Sequence, residues 1–219
     1  FSIPDLGCST FSAQTEDGDQ IFGRNFDLTY SPALFVETEP ENGYRSLSTV
    51  NLAFLGFGED KLPETFKEKI ITLAAPYAPL DGINEKGLTV AVLRIGDEPT
   101  NQDTGKVDIT TTTAIRLMLD KAADVEEALA LLEQYDMHSS AGSCYHFQIS
   151  DARGKSVVVE YVDNEYEVIP AKNNYQMVTN FLLSDKKYNF GSGQDRYEIL
   201  KNTLDECKGV LKDEQAAMD

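Results

Sequence analysis

Short runs of Ser, Thr and aromatic residues, broken by turn signals, open the chain and read as strands. Residues 9–15 form the first, Glu16-Asp17-Gly18-Asp19 supplies an Asp-Gly turn, and residues 20–24 return as its partner. Further strand-like runs lie at 33–38, 49–55 and 70–74. Asp81-Gly82 opens a turn, and residues 88–95 (LTVAVLRI) are apolar enough for the interior of a sheet.

The period then changes. Residues 109–135 suit two consecutive helices, with Asp124 ahead of Val125 and Glu127 three residues on, an Asp version of the capping box. Val125, Ala128, Leu129 and Leu132 share one face at helical spacing. Strands resume at 144–150, 156–162, 165–169 and 176–181, with a turn at 151–154. From about Gln194 the pattern is helical to the last residue. Strands, helices, strands and helices imply an α+β fold with packed sheets and helices outside. No linker or repeat divides the chain, so a single domain is expected. It stops at Asp219 inside a helical pattern without a capping signal, which suggests further sequence.

Composition narrows the function. Of 219 residues, 37 are acidic and 19 basic, a net charge of −18. Such a surface repels phosphate backbones, so nucleic acid is not an expected partner. No apolar run approaches the roughly 18–20 residues of a membrane helix, so no membrane insertion is expected. Three cysteines and two histidines show no CxxC or HxxxH spacing, so neither a structural zinc nor another cofactor is expected. An odd cysteine count leaves at least one thiol free if all pairing is internal. The chain begins at Phe1 and not at Met. A cleaved export signal would do this, as would a cut made elsewhere, and an extracytoplasmic bacterial location, secreted or cell-surface, is favoured over a cytoplasmic one.

The chemistry-bearing segment is Gly7-Cys8-Ser9-Thr10-Phe11 followed by Gly23-Arg24-Asn25-Phe26-Asp27. A hairpin brings the cation beside the thiol, where positive charge favours the thiolate. Arg24 and Asp27 are three apart and would occupy opposite faces of a regular strand, so they converge only if the chain bends. A buried small Cys with an ordinary Arg24–Asp27 ion pair remains open on the residues alone.

The segments GCSTFSAQTEDGDQIFGRNFD, LDGINEKGLTVAVL and MVTN resemble the choloylglycine hydrolase family of N-terminal-nucleophile hydrolases, which includes bile-salt hydrolases and penicillin V acylases. The likeness covers most of residues 7–200 and reproduces the spacings from Cys8 to Arg24 and to Asp27. It implies a four-layer αββα sandwich and a linear amide C–N hydrolase. Residues 1–7 would be a propeptide remnant and 8–219 the hydrolase domain, activated by autoproteolysis of Gly7–Cys8. Cys8 would then be the nucleophile, Arg24 would lie beside its sulfur, and Asp27 would hold the new α-amino group. Asn180 would orient that amine and donate to the oxyanion, and Arg196 would complete the site. Arg94 stands where bile-salt hydrolases carry Asn and penicillin V acylases Tyr. There it could donate to the oxyanion, select an acidic substrate group, or pair with a carboxylate.

A free α-amino group, with a pKa of about 7.7–8.0, suits a general base at neutral pH. The expected partner is a small-molecule amide, and a homo-oligomer is left open. Rival readings are an acyltransferase and an unprocessed binding protein. A Cys8–His146 pair would point to a papain-like site, but a strand histidine with a structural hydrogen bond is the better expectation. His138 falls in a polar loop. Cys144 and Cys207 are expected as buried thiols in preference to a disulfide, and Asn84 and Gly87 as turn formers.

Overall fold

The computed structural model describes residues 7–27, 32–58, 61–96, 98–184, 186 and 190–218. The chain opens with β1 (Gly7–Thr15), β2 (Gln20–Asp27), β3 (Ala33–Thr38) and β4 (Ser46–Asn51). After α1 (Phe66–Ile71) come β5 (Asp81–Asn84), β6 (Thr89–Gly96) and β7 (Val107–Thr110). Next are α2 (Thr111–Lys121), α3 (Val125–Leu132), β8 (Tyr135–His138), β9 (Cys144–Ser150), β10 (Ser156–Val162) and β11 (Glu165–Pro170). The last elements are β12 (Gln176–Val178), β13 (Asn180–Phe181), β14 (Gly191–Ser192), α4 (Gln194–Glu206), β15 (Val210–Leu211) and α5 (Glu214–Met218).

Two sheets form the middle of the molecule. Seven strands run in the order β11-β10-β9-β6-β5-β4-β3, and a smaller sheet is built around β1, flanked by β12, β15 and β2. Strand parity sorts the side chains into layers. Val90, Val92, Phe147, Ile149, Val157 and Val159 face α2 and α3 through Ile115, Met118, Leu119, Val125, Ala128 and Leu132. Leu93 and Val158, on the opposite face of the same strands, meet Cys8 and Val178 of the smaller sheet. That sheet's outer face, at Ala13 and Met177, packs on Leu204 of α4. The order is helix, sheet, sheet, helix. The interlayer between the sheets also holds polar groups. Gln148 reaches the Gln176 carbonyl at 3.4 Å, and Ser156 Oγ donates to Gln176 Oε1 at 2.7 Å.

Local chemistry accounts for many boundaries. The β1–β2 turn closes through Thr15, whose backbone N–H donates to Asp19 O at 2.8 Å, with Gly18 at φ +90°. Asp124 caps α3 by accepting from the Glu127 N–H at 3.0 Å, and Glu127 reaches back to the Ala123 N–H at 2.7 Å. Asn84 and Gly87 shape a turn as expected. Asn84 Oδ1 accepts from Lys86 and Leu88 N–H, its Nδ2 donates to the carbonyls of Leu119 and Ala122, and Gly87 has φ +82°.

Four expectations are corrected. The run 70–74 is helical and not extended, because Thr65 and Glu68 form a reciprocal capping box that starts α1. A 3-10 turn, Thr72–Tyr77, follows it. The run 49–55 ends as a strand at Asn51, whose side chain caps a 3-10 turn at Leu52–Leu55. Asp81-Gly82 starts β5, and the turn lies after it. The helical pattern after Gln194 breaks at Lys208 and Gly209, both at positive φ, and the chain returns as β15 alongside β1 before α5. No described helix is long and apolar enough to cross a membrane.

Candidate active site

Cys8 is the second residue of β1, paired with Phe26 of β2, and is 2% exposed with Gly7 attached. Pairing also sets Thr10 against Arg24, so Cys8, Arg24 and Phe26 share the inner face. The Arg24 guanidinium comes within 4.0 Å of Cys8 Sγ. It is fixed there by donation to the Val92 carbonyl at 2.8 Å, to the Leu80 carbonyl, and to Asp81 Oδ2 at 2.8 Å. An anionic sulfur at this position would meet a cation whose charge is shared with Asp81. Asp81 was not foreseen in this role, because Asp81-Gly82 reads as a turn.

Asn180 is the joint of the site. Its Oδ1 accepts the Cys8 backbone N–H at 2.7 Å, across 172 residues of chain, and its Nδ2 donates to the Arg94 carbonyl at 2.6 Å. Arg196, from the first turn of α4, donates to the same Oδ1 at 2.8 Å, to Ser9 Oγ at 3.0 Å and to the Cys8 carbonyl. Two donors on Oδ1 and an acceptor at Nδ2 allow the amide one orientation only. Gly193 opens the way for Arg196, since a Cβ there would stand 2.4 Å from the guanidinium. Sequence reading missed Gly193, and its place two residues ahead of Asp195-Arg196 was the available signal.

Asp27 sits opposite Gly7 in the β1–β2 ladder, on the face away from Arg24. The strand runs through both without a bend, so the two do not form an ion pair. The Asp27 carboxylate lies against Gly7, where a Cβ on residue 7 would meet Asp27 Oδ2 at 2.9 Å. Among the described residues the carboxylate has no hydrogen-bond partner.

Arg94 enters the site through its backbone. Leu93 packs against Cys8, so Arg94 points to the other face of β6, where its Nε donates to Ser143 Oγ at 3.0 Å. Burial pushes the hydroxyl of its cross-strand neighbour Tyr145 up, against the effects of Ser143 and the Arg94 charge.

His146 cannot serve Cys8. Both ring nitrogens are committed, Nδ1 to Glu160 at 3.1 Å and Nε2 to the Thr179 carbonyl at 2.7 Å, so the papain-like alternative falls. His138 lies at the end of β8, not in a loop, beside Asp108 at 3.1 Å. All three cysteines are free; Cys144 is buried as expected, but Cys207 is only half-buried. Among the described residues, no group of three or more His, Cys, Asp or Glu is placed to hold a metal ion. A groove of about 710 Å³ runs past Arg24, walled by Phe26, Phe35, Leu47 and Ile83, and Cys8 does not line it.

The family model of linear amide C–N hydrolases, choloylglycine hydrolase family, matches residues 8–190, beginning at Cys8. The chain belongs to the choloylglycine hydrolase family. It is 29% identical over 188 residues to a bile salt hydrolase/transferase of Clostridium perfringens, covering 79% of this chain and 53% of that protein. It is 30% identical over 127 residues to a penicillin V acylase of Pectobacterium atrosepticum, covering 53% of this chain and 34% of that protein. The chain thus spans about half the length of the first relative and a third of the second. Among solved structures, the penicillin V acylase of Agrobacterium tumefaciens superposes with a TM-score of 0.57 at 22% identity, over 82% of this chain and 54% of that one. A mutant of the conjugated bile acid hydrolase of Clostridium perfringens gives 0.54 at 20% identity, over 90% and 57%. These likenesses carry the fold, the αββα sandwich of the N-terminal-nucleophile hydrolases.

Proposed function

We propose that this protein is an N-terminal cysteine hydrolase of a small, non-peptide linear amide, activated by cleavage between Gly7 and Cys8. One observation carries the reading: a single cradle grips both reactive ends of Cys8, its nitrogen against Asn180 and its sulfur beside Arg24.

Activation begins when the Cys8 thiol attacks the Gly7 carbonyl. The peptide C–N bond breaks as the thioester forms, the nitrogen leaves as the Cys8 amine, and water hydrolyses the thioester. Asn180 already accepts from that nitrogen, and Asp27, which lies beside the residue that departs, would hold the new ammonium. In turnover the free amine takes the thiol proton, the sulfur attacks the substrate carbonyl, and a tetrahedral oxyanion forms. Asn180 Nδ2 keeps one proton beyond that given to the Arg94 carbonyl, and this proton serves the oxyanion. The Cys8 ammonium returns its proton to the leaving amine. Water then releases the acid from the acyl-thioester. Arg196 holds the Cys8 carbonyl and Asn180 throughout, which limits the geometry lost between steps.

The test is intact mass and N-terminal sequencing of fresh protein, followed by hydrolysis assays on conjugated bile salts and penicillin V, the amides of its relatives' names. Cleaved protein whose activity disappears in Cys8→Ala supports the reading. Uncut protein that hydrolyses amides through Cys8 would sink the mechanism. A relative carrying both "hydrolase" and "transferase" in its name favours adding an acceptor amine to the assay, where acyl transfer would appear as a new amide.

A further inference from the structure

His146 and Glu160 lie between the sheets with their side chains wholly covered, and the chemistry above does not use them. Ionisable groups so placed must have every polar atom accounted for. Glu160 Oε2 accepts the Ser184 N–H at 2.9 Å, while Oε1 accepts the Leu183 N–H at 2.8 Å and faces His146 Nδ1 at 3.1 Å. His146 Nε2 faces the Thr179 carbonyl at 2.7 Å. A carbonyl only accepts, so Nε2 carries a proton. Nδ1 and Oε1 then share one more, as imidazolium–carboxylate or as a neutral imidazole and acid, and the pair is neutral overall either way.

What the pair grips is the strand of Asn180. The Thr179 carbonyl belongs to the peptide plane that includes the Asn180 nitrogen, and the Leu183 and Ser184 N–H groups lie two and three residues beyond the end of β13. The chain is therefore held just before Asn180 and again three and four residues after it. Thr179 Oγ1 adds a bond to the Gly193 carbonyl at 3.0 Å, at the start of the helix that carries Arg196.

We propose that His146, backed by Glu160, is the positioning residue for Asn180: it sets the peptide plane from which the Asn180 amide reaches the Cys8 nitrogen. The inference rests on the reading that Asn180 serves the amidase chemistry. A buried polar pair is often no more stabilising than an apolar pair of equal volume, so its use is placed in geometry.

The test uses the full chain, shown by mass to be cleaved, and the variants His146→Leu, His146→Gln and Glu160→Gln. His146→Leu removes the donor to Thr179. Its kcat should fall roughly 10- to 100-fold with KM within about threefold, the pattern of a displaced reacting group. His146→Gln keeps an N–H for Thr179 and should recover most of that loss. Glu160→Gln sets its NH2 against the backbone N–H of either Leu183 or Ser184, and should lower kcat by roughly tenfold. A second readout is the side-chain amide NMR signal of Asn180, assigned through Asn180→Asp, which should move in His146→Leu. If the wild type hydrolyses nothing, the functional reading has failed, and this signal alone decides the inference. If His146→Leu does not fold, Glu160→Gln and His146→Gln decide it by the same measures. Wild-type kcat with an unmoved Asn180 signal in a folded variant overturns the proposal. So does an equal loss in His146→Leu and His146→Gln.

Discussion

Removing the side chain of Asn180 deletes three hydrogen bonds at a residue that is 2% exposed. The lost partners are the Cys8 N–H at 2.7 Å, the Arg196 guanidinium at 2.8 Å and the Arg94 carbonyl at 2.6 Å. Each such bond is worth about 0.5–1.5 kcal/mol net, and more with a charged partner. Water entering the vacated polar space recovers part of this. Asn180→Ala should therefore cost about 2–4 kcal/mol, which at about 2–4 °C per kcal/mol lowers Tm by roughly 4–16 °C. Asn180→Asp separates the two functions of the side chain. It keeps an acceptor for Cys8 and Arg196 and turns the donor into a second oxygen. That oxygen faces the Arg94 carbonyl with no proton between them, so stability is lost here too, while loss of an oxyanion donor should lower kcat by about 10²–10³ with KM within about threefold. The assays are thermal unfolding by circular dichroism and initial rates on cleaved protein. Asn180→Asp turning over within about twofold of wild type would remove Asn180 from the chemistry. Asn180→Ala melting with the wild type would show that the network does not stabilise the fold.

Cys8→Ala should remain uncut by mass and inactive, whereas Cys144→Ala and Cys207→Ala should be cleaved and keep most activity; an inactive, folded Cys144→Ala would name the wrong nucleophile here. Arg94→Asn should leave the ratio of kcat/KM for a matched anionic and neutral amide within about twofold, because the guanidinium faces Ser143; a tenfold change would place it against substrate. Hydrogen bonds from Thr104, first its hydroxyl, and from the Lys106 N–H hold the Asp136 carboxyl below its ordinary range. A lowered folded pKa stabilises above the unfolded value and is lost as pH falls through the folded one. The Tm gap between wild type and Asp136→Asn should thus be full at pH 7 and shrink below about pH 3.9; a gap that widens in acid would contradict the assignment.

Features written within a few residues were legible in the sequence. The β1–β2 hairpin, the Asp124 cap and the Asn84–Gly87 turn each depend on groups that meet along the local chain, so residue type and spacing suffice. The same holds for Cys8 and Arg24, which a tight hairpin brings to one face by strand parity. The family resemblance rested on these segments, and through it Asn180 and Arg196 could be named but not located. Short apolar runs misled, since 70–74 suits either period and the capping box upstream of it tipped the balance to helix. Tertiary structure alone decided the rest. Asn180 reaches Cys8 only because β12 pairs with β1 and the chain breaks at Thr179 to start β13. Arg94 fell on the far face because sheet register, a property of partners remote in sequence, fixes which side of a strand meets the other sheet. The burial of His146 against Glu160 follows from the same cause: β9 and β10 are neighbours in the sheet, and only their packing beneath β12 and β13 carries that pair to the carbonyl preceding Asn180.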